Sequence, residues 1–104
     1  FLEFGLGDLG REVEVDRALR TVTLRGRQVD LAPKEFDLLV ALLGRDGSVV
    51  SRLALLTEVW GYSDDVVSRT VDTHIAELRR KLEDDASTPR HILTVRKAGY
   101  RIQR

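Results

Sequence analysis

Residues 68–83 constrain this chain more than any other stretch. Val71, Ile75, Leu78 and Leu82 recur there at spacings of four, three and four, the signature of an amphipathic helix. At about 100° per residue they fall in one narrow stripe, the side that must pack on a core. Arg69, Thr73, Ala76 and Arg80 fall in the opposite stripe, flanked by Asp72 and Glu77. Cations mixed with short polar groups and one small apolar residue suit the edges of base pairs. They equally suit a solvated face laced with ion pairs. The rest of the chain decides between the two.

The first third reads as strands, because residues 12–16 and 20–24 alternate polar with apolar. Val29 and Leu31 continue the alternation after Gly26, so 20–31 is predicted as a hairpin turning at 25–27, and residues 2–4 as a further strand. Pro33 marks a helix start, followed by Phe36, Leu38, Leu39, Leu42 and Leu43 and by Gly44 and Gly47 as stops. Its apolar arc is wide, which predicts a central helix. Val49 and Val50 form an extended link. Ser51 is an N-cap for a second helix whose Leu53, Leu56 and Trp60 face inward and which Gly61 closes. After the 68–83 helix comes an acidic turn, then strands at 92–95 and 100–102 joined through Arg96, Lys97, Ala98 and Gly99, where Gly99 supplies a positive φ. The fold class is α+β: an N-terminal antiparallel sheet, three helices and a C-terminal β-hairpin, all in one domain spanning 1–104.

Charge sharpens this. The net charge is zero, yet residues 1–65 hold 8 Lys/Arg against 12 Asp/Glu, and residues 66–104 hold 9 against 5. Arg90, Arg96, Lys97, Arg101 and Arg104 close the chain without an acid among the last fifteen residues. Local potential, not total charge, steers an anionic partner, and here the cationic end is the end carrying the charged helix.

Several classes fall away. With no Cys, the chain has no disulfide framework, thiolate metal site or cysteine nucleophile. No apolar run approaches the roughly 20 residues of a membrane span, and no secretory signal opens the chain. There is no Met, even at position 1, as expected of part of a longer polypeptide. His74 and His91 lie on different elements with no phosphate loop or nucleophile elbow nearby, and Ser68, Asp72 and His74 make no triad, since residues two apart on a helix do not face each other. Glu83, Asp84 and Asp85 lack the spaced ligands and glycine of a cation loop. No catalytic residue, metal or cofactor is expected.

Helix, loop, helix and basic hairpin are the plan of a winged helix, in which the third helix enters the major groove. On that plan Arg69 and Arg80 reach phosphates or guanine edges. Thr73 bonds a base edge or touches a thymine methyl, and Ala76 leaves room for close approach. Glu77 either accepts from a cytosine amino group or pairs with Arg80 or Lys81. Asp72 is expected to orient Arg69. Arg96 and Lys97 sit at a turn tip, where a long cation can enter a narrow minor groove.

The motif Arg69-Thr70-Val71-Asp72-Thr73-His74-Ile75, followed by Leu78-Arg79-Arg80-Lys81-Leu82-Glu83, resembles the recognition helix of the OmpR/PhoB family of response-regulator output domains. Residues 31–39 resemble that family's first helix, residues 49–52 and 55–62 its second, and residues 94–101 its wing. The resemblance implies a cytoplasmic bacterial transcription factor that binds tandem half-sites on double-stranded DNA as a homodimer. It also implies a phosphorylatable receiver domain upstream, served by a cognate sensor kinase. The loop Tyr62, Ser63, Asp64 and Asp65 corresponds to one that can contact RNA polymerase. By position, Arg52, Trp60, Arg69, His74 and Arg79 contact phosphates or support such contacts; Thr73 and Glu77, with Ala76 and Arg80, face bases; Thr94, Arg96, Lys97 and Tyr100 form the wing. Three departures stand out. Ala32 replaces a capping threonine, at a cost of about 1 kcal/mol. Glu77 stands where some members have Arg. Lys97 and Ala98 replace a small Gly-Val tip. Alternative readings are a winged helix that binds only protein, which would lack the steep salt dependence of phosphate contacts, and the cytoplasmic end of a membrane-anchored regulator.

Overall fold

The computed structural model describes residues 13–62 and 69–103. The strand expected at 2–4 lies outside them, as do Ser63, Asp64, Asp65 and Ser68. Three short strands, β1 (Val13–Asp16), β2 (Thr21–Leu24) and β3 (Arg27–Val29), form an antiparallel sheet in the order β1-β2-β3. The register pairs Val15 with Val22 and Val22 with Val29. Alternation therefore delivers Val13, Val15 and Val22 to the core, each at most 1% exposed. Arg25 and Gly26 at the second turn both have positive φ, 53° and 81°, the type I′ geometry that matches strand twist. Strand pairing stops at Val29. Leu31 packs against the core outside the sheet.

Helix α1 (Pro33–Leu43) is central, as its wide apolar arc requires, with Leu38 and Leu39 fully buried. Its start carries half a capping box. The Ala32 N–H donates to Glu35 Oε1 at 2.9 Å, but Ala32 has no hydroxyl to return the bond.

Helix α2 (Arg52–Leu55) is capped by Ser51, whose Oγ accepts from the Ala54 N–H at 3.0 Å, and runs on into a π-helical turn (Leu56–Trp60). The inward face differs from the expected one. Two apolar stripes compete here, 53/56/60 and 55/56/59, and the second wins. Leu55 and Leu56 are fully buried and Val59 nearly so, while Leu53 is 43% exposed and Trp60 lies at the rim.

Helix α3 (Arg69–Leu82) follows, and Val71, Ile75, Leu78 and Leu82 are all buried, as their spacing requires. Beyond it, Glu83 does not simply face solvent. Its carboxylate accepts from the backbone N–H groups of Arg90, His91 and Ile92 at 3.1, 2.9 and 2.7 Å, and so fixes the entry to the hairpin.

The hairpin pairs β4 (Ile92–Val95) with β5 (Gly99–Ile102). Val50, expected as a plain link, adds a one-residue third strand: its N–H donates to the Tyr100 carbonyl at 2.8 Å and its carbonyl accepts from the Tyr100 N–H at 2.9 Å. Gly99 has the positive φ expected of it, 144°, and Lys97, with φ 64°, adds a left-handed residue at the turn. The contact with Val50 gives Gly99 a second role, clearance, because a Cβ there would lie 2.0 Å from the Val50 carbonyl oxygen.

Candidate nucleic-acid interface

The outward side of α3 is assembled by the same periodicity that buries its core stripe. Arg69, Thr73, Ala76 and Arg80 are all exposed, one above another along the helix. Arg69, Arg96 and Lys97 form no ion pair among the described residues, so three cations remain available on α3 and at the hairpin tip. Thr73 Oγ1 donates to the Arg69 carbonyl at 3.0 Å, which leaves the hydroxyl oxygen able to accept.

Glu77 takes the second of its two expected roles. Its Oε2 receives Arg80 Nε at 2.7 Å, one turn on. Lys81, the other expected partner, turns instead to α1, where its ammonium lies 2.7 Å from Glu35 Oε1. Burial acts to raise the Glu35 pKa. The Lys81 hydrogen bond and charge, the Ala32 N–H and the nearby His74 outweigh it and hold the carboxyl below its ordinary value.

Asp72 does not orient Arg69. Its Oδ2 receives Arg52 Nη2 at 2.9 Å, from the first turn of α2, and its Oδ1 receives the Tyr100 hydroxyl at 2.5 Å, from β5. The physical reason is geometric: three residues on, Asp72 points towards the side of α3 covered by α2 and the hairpin, where two donors already stand. Desolvation comes first among the causes that push the Tyr100 phenol up to about 12, followed by its bond to the Asp72 carboxylate.

Arg79 is likewise engaged within the domain. Its Nε donates to the Ile92 carbonyl at 2.9 Å and its Nη2 to Thr94 Oγ1 at 2.8 Å, with the guanidinium 5.8 Å from the Tyr100 ring centre. His74 donates from Nδ1 to the Thr70 carbonyl at 2.7 Å and meets the Trp60 ring edge-on, with centroids 4.9 Å apart. Arg52, Arg79 and Tyr100 thus gather where α2, α3 and the hairpin meet, Trp60 and His74 make a separate contact between the π-helical turn and α3, and Arg69, Thr73, Ala76 and Arg80 stay exposed. Tyr62 is exposed at the end of α2. Among the described residues no group of three or more His, Cys, Asp or Glu side chains could hold a metal ion. No described helix is long and apolar enough to cross a membrane.

Three helices, a sheet ahead of them and a hairpin behind are the winged-helix arrangement. The model of the family described as "Transcriptional regulatory protein, C terminal" matches residues 26–102, which include all three helices and the hairpin. This chain belongs to that family. Among relatives of this transcriptional regulatory family, the DNA-binding response regulator MtrA of Mycolicibacterium smegmatis is 44% identical over 90 residues, covering 86% of this chain and 40% of MtrA. The probable transcriptional regulator ycf27 of Porphyra purpurea is 45% identical over 94 residues, covering 88% and 39%. The chain therefore spans about two fifths of the length of these relatives. Among solved structures, the Klebsiella pneumoniae RstA DNA-binding domain in complex with the RstA box superposes with a TM-score of 0.81 at 38% identity, covering 88% of this chain and 91% of that one. The Thermotoga maritima response regulator DrrB, an OmpR/PhoB homolog, gives 0.80 at 37%, covering 88% and 42%. The resemblance to OmpR/PhoB output domains is borne out.

Proposed function

We propose that this domain binds double-stranded DNA sequence-specifically as the output module of a two-component response regulator, with α3 in the major groove and the β4–β5 hairpin as wing. One observation carries the reading: α3 presents Arg69, Thr73, Ala76 and Arg80 outward while Arg96 and Lys97 crown the neighbouring hairpin, so one surface offers both a groove-reading helix and a flanking cationic tip. The RstA domain, of the same fold, is described in complex with its own DNA box, which supports extending the role to this chain. Arg69, Thr73, Ala76, Glu77 and Arg80 face bases; Arg52, Trp60, His74 and Arg79 contact or brace the phosphate side; Thr94, Arg96, Lys97 and Tyr100 belong to the wing. The domain is a binding module, not an enzyme.

A receiver domain upstream, a cognate sensor kinase, pairing as a homodimer on tandem half-sites, contact between the loop at Tyr62 and RNA polymerase, and a cytoplasmic setting belong to the same proposal. The greater length of the relatives and the response-regulator name of MtrA support the receiver and the kinase; the other parts rest on the family resemblance alone. Selection of bound duplexes from a random library tests the central reading, and two repeated half-sites at fixed spacing are the expected enrichment. Affinity for the enriched duplex should fall steeply as salt rises, and Arg69→Ala should weaken binding to all duplexes with a salt slope shallower by about one ion. No enrichment, or binding indifferent to salt, would show that the surface serves another partner.

A further inference from the structure

Resting on the DNA-binding reading, we propose that Asp72 is a positioning residue that fastens the wing and the start of α2 to the recognition helix, and that Tyr100 serves DNA binding through Asp72 rather than by donating to a phosphate. A phenol has one proton to give. That of Tyr100 is directed at Asp72 Oδ1 at 2.5 Å, and the residue is only 7% exposed. Phosphate oxygens only accept, so the hydroxyl cannot serve both partners at once. The other carboxylate oxygen holds Arg52 Nη2 at 2.9 Å. One side chain of α3 therefore ties together residues 52 and 100, from the two elements that flank the helix on the DNA side.

A second joint lies beside the first. Arg79 spends Nε and Nη2 on Ile92 and Thr94 of β4 and stands over the Tyr100 ring. The groups facing the phenol are thus Asp72, Arg52 and Arg79, two cations against one carboxylate. A carboxylate on a DNA-facing helix is repelled by phosphate, and here it is neutralised by donors within the domain. Fixing helix, wing and α2 relative to one another before DNA arrives removes an ordering cost from binding.

The test is a double-mutant cycle on DNA affinity with Asp72→Asn, Tyr100→Phe and the pair, using a duplex enriched from a random library by the wild-type domain. Each single variant should lose roughly 5- to 10-fold in affinity, and the pair should lose no more than the weaker-binding single. Losses that multiply, or singles that bind like wild type, overturn the proposal. A second measurement needs no DNA. In a Tyr62→Phe background Tyr100 is the only phenol, because the chain has two tyrosines. With folding followed by circular dichroism, absorbance at pH 11 should show Tyr100 mostly protonated in that background and measurably more ionised once Asp72→Asn is added, because burial still opposes ionisation after the carboxylate is gone. Equal ionisation in both overturns the joint. A wild-type domain that binds no duplex would sink the DNA reading and leave this titration to decide the joint alone.

Discussion

Two carboxylates flank the outward face of α3, and each is neutralised from a different distance. Glu77 finds Arg80 three residues on, a pairing that helical spacing makes readable from sequence. Asp72 finds Arg52 and Tyr100, 20 and 28 residues away. No local pattern could name them, although a tyrosine on the same strand face as a core isoleucine, Ile102, already calls for a partner for its hydroxyl. Glu77 holds Arg80 by Nε and leaves the far edge of the guanidinium outward, so Glu77→Ala should change which sequences a random library yields. It should shift thermal stability little, because an exposed pair is worth at most about 1 kcal/mol. An unchanged selection profile would reduce Glu77 to a surface ion pair. Ala32 offers the opposite case, a local rule broken in plain sight. The extended Ala32 backbone and the Glu35 half of the box are in place. Ala32→Thr should therefore add about 1 kcal/mol and raise the melting temperature by several degrees, measured by calorimetry.

At the scale of elements, what repeats is legible and what touches once is not. Alternation located the strands that form β1, β2 and β3, and an i, i+4, i+7 stripe located α3. The π-helical turn after Leu55 and the single-residue strand at Val50 carry no period, and both depend on how neighbouring elements close on them. The wing shows the consequence. Gly99 reads as a turn glycine in sequence and has the positive φ of one, but its lack of a Cβ is also what lets β5 approach Val50. Gly99→Ala should force the two apart and break both Val50–Tyr100 backbone bonds. At about 1 kcal/mol each plus backbone strain, the expected loss is at least about 2 kcal/mol in chemical denaturation. Hydrogen exchange should speed up at the Val50 and Tyr100 amides specifically. A variant with wild-type stability and protection would show that the strand gives way without cost.

Across the whole molecule, the acidic and basic halves visible in the sequence meet in the fold through ion pairs between distant elements. Arg25 of the sheet turn pairs with Asp84 after α3 at 2.7 Å, and Glu35 of α1 pairs with Lys81 of α3 at 2.7 Å. The first is exposed and worth little. The second joins the central helix to the recognition helix, with the Glu35 side chain 8% exposed. Composition predicts neither pairing, because each is set by how distant elements pack on one another. The buried pair nevertheless has a definite pH signature. Since the folded state holds the Glu35 pKa below its ordinary value of 4.5, the stabilisation is fully present above the unfolded pKa and is lost as pH falls through the folded one. Unfolding free energy should decline through that acid range. Glu35→Gln keeps an acceptor for the Ala32 N–H but gives up the charge. It should lower stability near pH 7 by about 1–3 kcal/mol and leave a shallower acid limb, since the proton-linked part of the pairing is gone. Urea melts of both proteins between pH 7 and pH 3 measure the two limbs, and parallel limbs would mean that other carboxylates carry the acid sensitivity.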